Sequence, residues 1–394
     1  MNDKIFFNSC YLQNFSLPFE YPVYFTHHIF KITNKTLKKL MVKDGNGKEK
    51  VVVFIDQGLS KANPSLIENI LSWFEHHKKQ FLLAGRPVIM PGGETVKNGW
   101  EYVLKATGLM NDLELDRHSY VIAIGGGAFL DMTGFAVSIF HRGLKLIRIP
   151  TTTLAQNDAG IGVKNGINQY GQKNCIGTFS PPFSVVNDFE FLTTLPFDHF
   201  IGGVAEAFKI ALIKDASLFV FLEKNCTALK QRNSNVIQEV IRRCAVLHMD
   251  HISNNGDPFE TGSSRPLDYG HWTAHKMEIL SGSTLSHGQA VSIGIALDSF
   301  YAWKKSLISK KDFSRLLTAL VISGLPIWSK YLEIRDPHGT LEIKNGLEEF
   351  RQHLGGMITL TMPDGIGTAC EINEMDFDII EKGITFLKKI SNEN

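Results

Sequence analysis

Cysteine is scarce in this chain of 394 residues, and its five cysteines are scattered, odd in number and without a Cys-x-x-Cys pair. Such a set excludes a disulfide framework and a thiolate zinc site, and it favours a reducing compartment. Long apolar runs are lacking too, because none approaches the roughly 18 residues that a membrane-spanning helix needs. The N-terminal residues have no basic start followed by an apolar block, so we expect no signal peptide and a soluble, cytoplasmic protein.

An excess of one charge is also missing, since 41 Lys and Arg residues stand against 40 Asp and Glu residues, a net charge of +1. A protein so nearly neutral gives no indication of nucleic-acid binding. We therefore expect neither nucleic acid nor a membrane among its partners. Hydrophobic residues make up 43% of the chain, an ordinary globular proportion, and the length suggests two domains with a large core.

Strand and helix patterns alternate through the first half of the chain. Residues 51–59, VVVFIDQGL, form a short apolar run that predicts a buried parallel strand followed by a polar loop. Helical spacing follows over residues 65–81, and residues 119–140 predict a strand, a glycine turn and a helix. A further strand is predicted near the start, in PVYFTHHIF. This alternation predicts an α/β fold with a doubly wound, Rossmann-like parallel sheet.

The pattern changes near residue 196. Beyond that point apolar residues recur at helical spacing in one segment after another, beginning with GGVAEAFKIALIKDASLFVFLEKN. We therefore predict an α/β domain over residues 1–196 and a mostly α-helical domain over residues 197–394.

A run of three glycines, Gly125 to Gly127, stands between a predicted strand and a predicted helix. Backbone N–H groups at such a turn, together with the helix dipole, favour a phosphate. The run matches neither the Rossmann GxGxxG pattern nor a P-loop, so a tight packing turn without a ligand is an equally good reading. Asp56 at one strand end, and Glu94 and Lys97 after another, favour a ligand because open α/β sheets bind at their carboxyl ends.

Charged side chains interrupt the apolar helices of the second half. Glu206 and Lys209 lie three apart in an apolar helix and need partners, because unpaired burial of charge costs several kcal/mol. His271 and His275 share a helix face, and His287 opens another helix. Glu206, His271 and His287 together would give a catalytic zinc three ligands and an open fourth position. Ordinary polar packing of these side chains is the alternative.

A loop of unusual composition follows the strand that ends at Pro150. It reads IPTTTLAQNDAGIGVKNGIN over residues 149–168, and it carries Asp158 and Lys164 among three glycines. A carboxylate beside an anionic ligand can orient a hydroxyl or water for proton transfer, and an ammonium attracts that ligand. A surface ion pair is the simpler interpretation of these two residues taken alone.

From about residue 50 to 300 the chain resembles 3-dehydroquinate synthase and the wider sugar phosphate cyclases. The resemblance rests on segments in family order: GGETVK, GGGAFLDMTGFAVS, HRG, IPTTTLAQNDAGIGVKNGIN, QKNCIGTF, TLP, GGVAEAFKIALI, GHWTAHKME and HGQAVSIGI. It implies an NAD-binding first domain, a metal- and substrate-binding second domain, and a homodimer. It also implies a carbon–oxygen lyase in which transient oxidation by NAD, phosphate elimination, re-reduction and an intramolecular aldol reaction close a carbocycle from a phosphorylated keto sugar.

The resemblance assigns roles residue by residue. Those implied to hold NAD are Asp56, Glu94, Lys97, Gly126, Gly127, Asp131, Thr151, Thr152, Lys173 and Thr194. Those implied to bind zinc, with cobalt as an alternative metal, are Glu206, His271 and His287. Those implied to serve the substrate are Asp158, Lys164, Asn174, Lys209, His275, Arg265 and Arg142, the last reaching into a neighbouring subunit's phosphate pocket.

The chain departs from the synthase pattern where the substrate carboxylate would bind. Asp268 replaces an asparagine, and His248 stands where the family has a lysine that binds this carboxylate. Arg265 is displaced by one place, and near the C-terminus Arg351 or His353 would substitute for missing lysines. These changes favour a substrate without the carboxylate, such as sedoheptulose 7-phosphate, as in valiolone-type cyclases.

Other readings stay open at this point. Carboxylate-free cyclases usually lack the second histidine of the GHxxxH pair, which is His275 here, so a divergent branch of the family is a further alternative. A metal-dependent polyol or glycerol-phosphate dehydrogenase of the same architecture is another. An inactive homologue is disfavoured because all three implied zinc ligands are present.

Overall fold

The computed structural model describes residues 12–42, 48–254, 259, 266–282, 284–353 and 358–393. Its strands are β1 (Val23–Thr26), β2 (Glu49–Asp56), β3 (Phe81–Leu83), β4 (Val88–Met90), β5 (Tyr120–Gly125), β6 (Lys145–Pro150), β7 (Lys164–Gln169), β8 (Gln172–Phe179), β9 (Ser184–Asp188), β10 (Leu360–Pro363) and β11 (Ala369–Ile372). Its helices up to residue 254 are α1 (Thr36–Met41), α2 (Gln57–Ala62), α3 (Leu66–His76), α4 (Glu101–Asp112), α5 (Gly127–Ile139), α6 (Phe197–Lys214), α7 (Ala216–Lys224), α8 (Cys226–Lys230) and α9 (Ser234–Asn254). Those beyond are α10 (His271–Leu280), α11 (His287–Lys304), α12 (Lys310–Ser323), α13 (Glu342–His353) and α14 (Phe377–Glu393).

A seven-stranded parallel sheet organises the first half, with the order β1-β9-β6-β5-β2-β3 and β4 also pairing with β2. Strand β2 shows why the sheet is covered on both faces. Val52 and Phe54 enter the core on one face, while Val51, Val53 and Ile55 enter the core on the other. A continuous apolar run is thus required by burial on two sides. The predicted α/β class with a Rossmann-like parallel sheet is confirmed.

Helices α6 to α14 surround one large core in the second half, which confirms its predicted helical character. A small antiparallel pair, β10 with β11, accompanies them and was not predicted. The domain boundary at residue 196 coincides with the start of α6 at Phe197, and it stays a prediction.

Two local predictions differ from the structure in detail, and one hairpin was not predicted. The helix predicted over residues 65–81 ends at His76, and Phe81 to Leu83 instead pair with β2, whose open edge they complete. The predicted N-terminal strand shortens to β1, because only its first residues pair with β9. The hairpin β7–β8 is additional, and the polar sequence of its strands gave no alternating signal.

Candidate active site

A cavity of about 1650 Å³ lies at the carboxyl ends of the strands, where the sheet faces the helical half. This is the edge at which open α/β sheets bind ligands. All ten residues assigned to NAD line it: Asp56, Glu94, Lys97, Gly126, Gly127, Asp131, Thr151, Thr152, Lys173 and Thr194. Five residues assigned to the substrate line it as well: Asp158, Lys164, Asn174, Lys209 and His275.

Side chains on the sheet side of the cavity are held by local hydrogen bonds. The Asp56 carboxylate caps α2 and accepts from the Gly58 amide at 2.7 Å. Lys97 Nζ donates to Asp131 Oδ2 at 2.7 Å and also to the amide oxygen of Asn174. Burial lowers the pKa of Lys97, but the Asp131 and Glu94 carboxylates outweigh it and raise the pKa above its usual value. Lys97 therefore stays charged in the cavity wall.

The loop after β6 turns the predicted substrate residues towards the helical half. Residues Ala155–Ala159 form a single π-helical turn, a wide turn found at many functional sites. Asn157 Nδ2 donates to the Gly203 carbonyl of α6 at 2.7 Å and so fixes this turn on α6. Because Gly203 lies one turn before Glu206, Asp158 is brought beside that carboxylate.

Arg148 was not singled out from the sequence, although it organises the same loop. Arg148 belongs to β6, and its fully buried guanidinium donates to the carbonyls of Gly160 (3.2 Å), Gly162 (2.6 Å) and Lys164 (3.2 Å), and to Asn165 Oδ1 (2.6 Å). Five fixed donors suit a cluster of carbonyls. An arginine inside an apolar strand was the available signal, since a buried charge requires partners.

Glu206, His271 and His287 converge on one point of the cavity wall, as predicted. Glu206 Oε1 lies 3.6 Å from His271 Nε2 and 3.4 Å from His287 Nε2. The buried Glu206 carboxylate receives no well-aligned hydrogen bond, although Lys209 Nζ lies 2.5 Å from Oε2. His271 Nδ1 lies 3.0 Å from the Tyr269 carbonyl, to which it donates, leaving Nε2 available to a metal. A buried carboxylate oxygen facing two imidazole nitrogens fits a divalent cation.

Backbone contacts between glycines set the spacing of these three side chains. A Cβ on Gly288 of α11 would lie 2.2 Å from the Cα of Gly202 in α6. A Cβ on Gly294 of α11 would lie 2.0 Å from the carbonyl oxygen of Gly270, which precedes α10. Three of these glycines lie within four residues of a member of the triad. The helices therefore approach at distances that no side chain would allow.

Glu278 is a second residue that sequence reasoning missed. It is 7% exposed, and it contacts His287 Nδ1 at 3.2 Å and Lys173 Nζ at 3.0 Å. Its spacing from His271 and His275 on one helical face was the signal available in the sequence. Burial, together with the neighbouring His271 and His287 side chains, lowers the pKa of His275 to about 3, so this side chain is neutral.

His248 and Asp268 occupy the region where the chain departs from the synthase pattern. Both line the cavity, and His248 Nδ1 lies 2.9 Å from Asp158 Oδ1. Burial raises the pKa of Asp158, but Lys209 and His248 outweigh it and hold the pKa at about 2. Burial lowers the pKa of Lys209, but the Glu206 and Asp158 carboxylates outweigh it, and Asp268 adds to their effect, so the pKa is raised above its usual value.

The remaining predicted residues lie apart from the cavity or outside the described residues. Arg142 is exposed and does not line the cavity. Arg265 and the side chain of His353 fall outside the described residues. Arg351 pairs with Glu348 in its own helix at 2.5 Å.

Comparison with known proteins identifies the family. The N-terminal profile of 3-dehydroquinate synthase matches residues 87–202 and its C-terminal profile matches residues 203–343. The chain is 35% identical to 3-dehydroquinate synthase of Campylobacter fetus subsp. fetus, covering 73% of this chain and 80% of that protein. It is 31% identical to 2-epi-5-epi-valiolone synthase of Streptomyces albus, covering 82% of this chain and 78% of that protein.

A solved structure matches almost the whole chain. It is 2-epi-5-epi-valiolone synthase from Streptomyces hygroscopicus subsp. jinggangensis, with NAD⁺ and Zn²⁺ bound. The match has a TM-score of 0.85 at 27% identity and covers 96% of this chain and 100% of that one. The chain therefore belongs to the 3-dehydroquinate synthase family. It is a sugar phosphate cyclase, an enzyme of the carbon–oxygen lyase class that eliminates phosphate.

Proposed function

We propose that this cyclase works with NAD and a divalent metal ion, zinc or alternatively cobalt, on a phosphorylated keto sugar. The observation that carries the proposal is the convergence of Glu206, His271 and His287 on a cavity that also contains the glycine turn before α5. Bound there, the metal would polarise carbinol and carbonyl oxygens, and NAD would accept and return one hydride.

The chain's own residues would bind and orient the substrate. Lys164 and Lys209 supply positive charge to the cavity, as an anionic substrate requires. Asp158 stays ionised and would orient a hydroxyl group or water for proton transfer. His275, which is neutral, and Asn174 would contribute hydrogen bonds to the phosphate. Arg265, which lies outside the described residues, is proposed to bind a substrate carboxylate.

A heptulose phosphate without a carboxylate, such as sedoheptulose 7-phosphate, is the substrate we favour. His248 contacts Asp158 instead of presenting an ammonium. Among the described residues the cavity wall contains lysines but no arginine. Arg242 stacks over Phe189 at 4.9 Å, and Arg243 pairs with Asp215 at 3.0 Å, so neither supplies the missing cation. The second candidate is 3-dehydroquinate synthase itself, which the family profiles and the relative at 35% identity favour.

We further propose a homodimer in the cytoplasm. Arg142 is exposed at the end of α5 and does not line the cavity of its own chain, which supports a role in a partner's phosphate pocket. Among the described residues the cysteines are free, as a reducing compartment requires. In the part of the chain that the structure describes, no helix is both long and apolar enough to cross a membrane.

Release of inorganic phosphate tests the function. The zinc-loaded protein would be assayed with the seven-carbon precursor of dehydroquinate, sedoheptulose 7-phosphate and glucose 6-phosphate, while absorbance at 340 nm is followed. We expect release from one heptulose substrate without lasting NADH, and loss of release in Lys164→Ala and His271→Ala. Lasting NADH would instead indicate a dehydrogenase. Full turnover and full metal content in His271→Ala would show that the metal assignment is wrong.

A further inference from the structure

Glu278 lies between the metal group and the hairpin β7–β8. It belongs to α10, two turns after His271, and its side chain is buried. One carboxylate oxygen, Oε2, lies 3.2 Å from His287 Nδ1. The other, Oε1, accepts a hydrogen bond from Lys173 Nζ at 3.0 Å. Each oxygen thus has its own partner on a different element.

The contact with His287 selects one form of its imidazole ring. A carboxylate only accepts hydrogen bonds, so Nδ1 must carry the proton that is donated to Glu278. In the neutral ring Nε2 then has the free lone pair. That nitrogen faces Glu206 Oε1 at 3.4 Å, on the side where His271 also presents Nε2. The orientation of His287 is the one that a metal at this point requires.

Lys173 fixes the carboxylate from the other side of the cavity. It lies on β8, and the following residue, Asn174, accepts a hydrogen bond from Lys97. The ion pair Lys173–Glu278 therefore connects the helix that begins with a metal ligand to the hairpin on the NAD side. Sequence reasoning placed Lys173 near the cofactor, and the contact with Glu278 is additional to that role.

A direct metal-binding role for Glu278 is the competing interpretation. Ligand atoms of His275, Glu278 and His287 also lie within 4.8 Å of one another. However, the Lys173 ammonium already lies 3.0 Å from Glu278 Oε1, and a second cation there would be repelled. A metal bound by His275, Glu278 and His287 would also require His287 Nδ1 to lose its proton while Nε2 faces Glu206 and His271. Glu278 therefore fits better as a residue that orients His287 and does not itself bind the metal.

We propose that Glu278 is a positioning residue for the metal centre: it holds His287 in the Nδ1-protonated form with Nε2 towards the ion, and Lys173 holds Glu278. The inference rests on the metal site proposed above. Carboxylates that support metal-bound histidines in this way typically contribute about 10- to 100-fold to metal affinity. Lys173 acts one step further from the ion, so its effect is smaller.

Zinc affinity of the whole protein, measured by competition with a chromophoric chelator, tests this proposal without recourse to turnover. We expect Glu278→Leu to bind zinc about 10- to 100-fold more weakly than the unmodified protein. Glu278→Gln keeps an acceptor for the Nδ1 proton and should remain within about threefold. Lys173→Met should fall between the two. Glu349→Gln is the matched control, because it removes an exposed carboxylate that contacts the same helix through Lys276 at 2.7 Å.

Cobalt substitution adds a readout that general loosening of the fold would not change. The visible absorption of bound Co²⁺ reports its ligands, and we expect it to change in Glu278→Leu but not in Glu349→Gln. Thermal unfolding of the metal-free variants verifies that each is folded; if Glu278→Leu is not, Lys173→Met decides, and a Lys173→Met that binds zinc as tightly as the unmodified protein overturns the inference. If Glu278→Leu binds zinc as tightly as the unmodified protein, the role of Glu278 is refuted and the metal site still stands. The same follows if Glu278→Gln binds zinc as weakly as Glu278→Leu. An unmodified protein that binds no zinc overturns both the inference and the metal site.

Discussion

His248 Nδ1 lies 2.9 Å from Asp158 Oδ1, so an imidazole from α9 is in direct contact with the carboxylate of the loop after β6. The contact places an imidazole where the family resemblance implies a lysine. It also occupies one oxygen of Asp158, the residue proposed to handle a substrate hydroxyl. Under the proposed function, substrate choice and the state of Asp158 are therefore linked through His248.

His248→Lys should shift the substrate preference towards a carboxylate. A lysine at this place would add a charged donor to the cavity wall, and charge-assisted hydrogen bonds to a carboxylate are strong. We expect the ratio of kcat/KM for the dehydroquinate precursor to that for sedoheptulose 7-phosphate to rise by about tenfold or more, equivalent to about 1.4 kcal/mol. Phosphate release measures both values. His251→Lys, one turn along the same helix and also in the wall, is the control; an equal shift there would contradict a role specific to position 248.

Gly288→Ala should weaken metal binding by separating α11 from α6. The new Cβ would lie 2.2 Å from the Cα of Gly202, and backbone cannot yield as a side chain can. We expect a loss of about 1–3 kcal/mol in the free energy of unfolding and a clear fall in zinc content after dialysis. Gly108→Ala in α4 is the control, since a Cβ there meets nothing within 4 Å. That variant should be stabilised by about 0.4–1 kcal/mol. Normal zinc retention in Gly288→Ala would refute the glycine argument.

Arg148→Lys should disorder the loop between Asp158 and Lys164. Lysine offers a single nitrogen in place of a planar fork, so it cannot reproduce the four hydrogen bonds of Arg148, and carbonyl groups are left unpaired. We expect the free energy of unfolding to fall by about 3–5 kcal/mol and kcat to fall with it. Urea unfolding measures the free energy of unfolding, and phosphate release measures kcat. The exposed Arg335→Lys should change stability by about 0.5 kcal/mol or less, and a similarly mild result at position 148 would contradict the proposed role.

Asp298 should make stability depend on pH. Burial raises the pKa of this carboxyl to about 7, against the hydrogen bonds donated by Trp272 Nε1 and the Gly270 amide, which lower it. Between roughly pH 4 and 7 the folded protein then holds a proton that the unfolded chain has released, so stability falls as pH rises. Its full contribution is present only below pH 4.

Asp298→Asn removes this titration and provides the comparison. Two pH units correspond to about 2.7 kcal/mol, so the unmodified protein should lose about 2–3 kcal/mol more than the variant between pH 5 and 7. Urea unfolding at both pH values measures the difference. Parallel pH profiles for the two proteins would show that Asp298 does not carry a raised pKa.

The fold was predictable from sequence because runs such as VVVFI must be buried on two faces. Burial also required the glutamate among apolar helix residues to find partners. The family resemblance named His271 and His287 as those partners, and their assignment to a metal stays a prediction. The partners of Arg148 were not accessible, because they are main-chain carbonyls whose positions depend on the path of a loop. Glu278 was overlooked because its two partners come from other elements. The hairpin β7–β8 was missed because KNGINQ and QKNCIGTF lack an alternating pattern.

The glycine contacts that join α6, α10 and α11 have a consequence for how this enzyme could change. These main-chain contacts fix the distances between the proposed metal ligands. His248 and Asp268 instead project into the cavity from α9 and from the turn before α10. The side chains proposed for substrate recognition are therefore not the ones whose main chain fixes the spacing of the proposed metal ligands. Under the proposed function, substitutions at His248 and Asp268 would change selectivity and leave the glycine contacts intact, which makes this scaffold a suitable starting point for redirecting carbocycle synthesis.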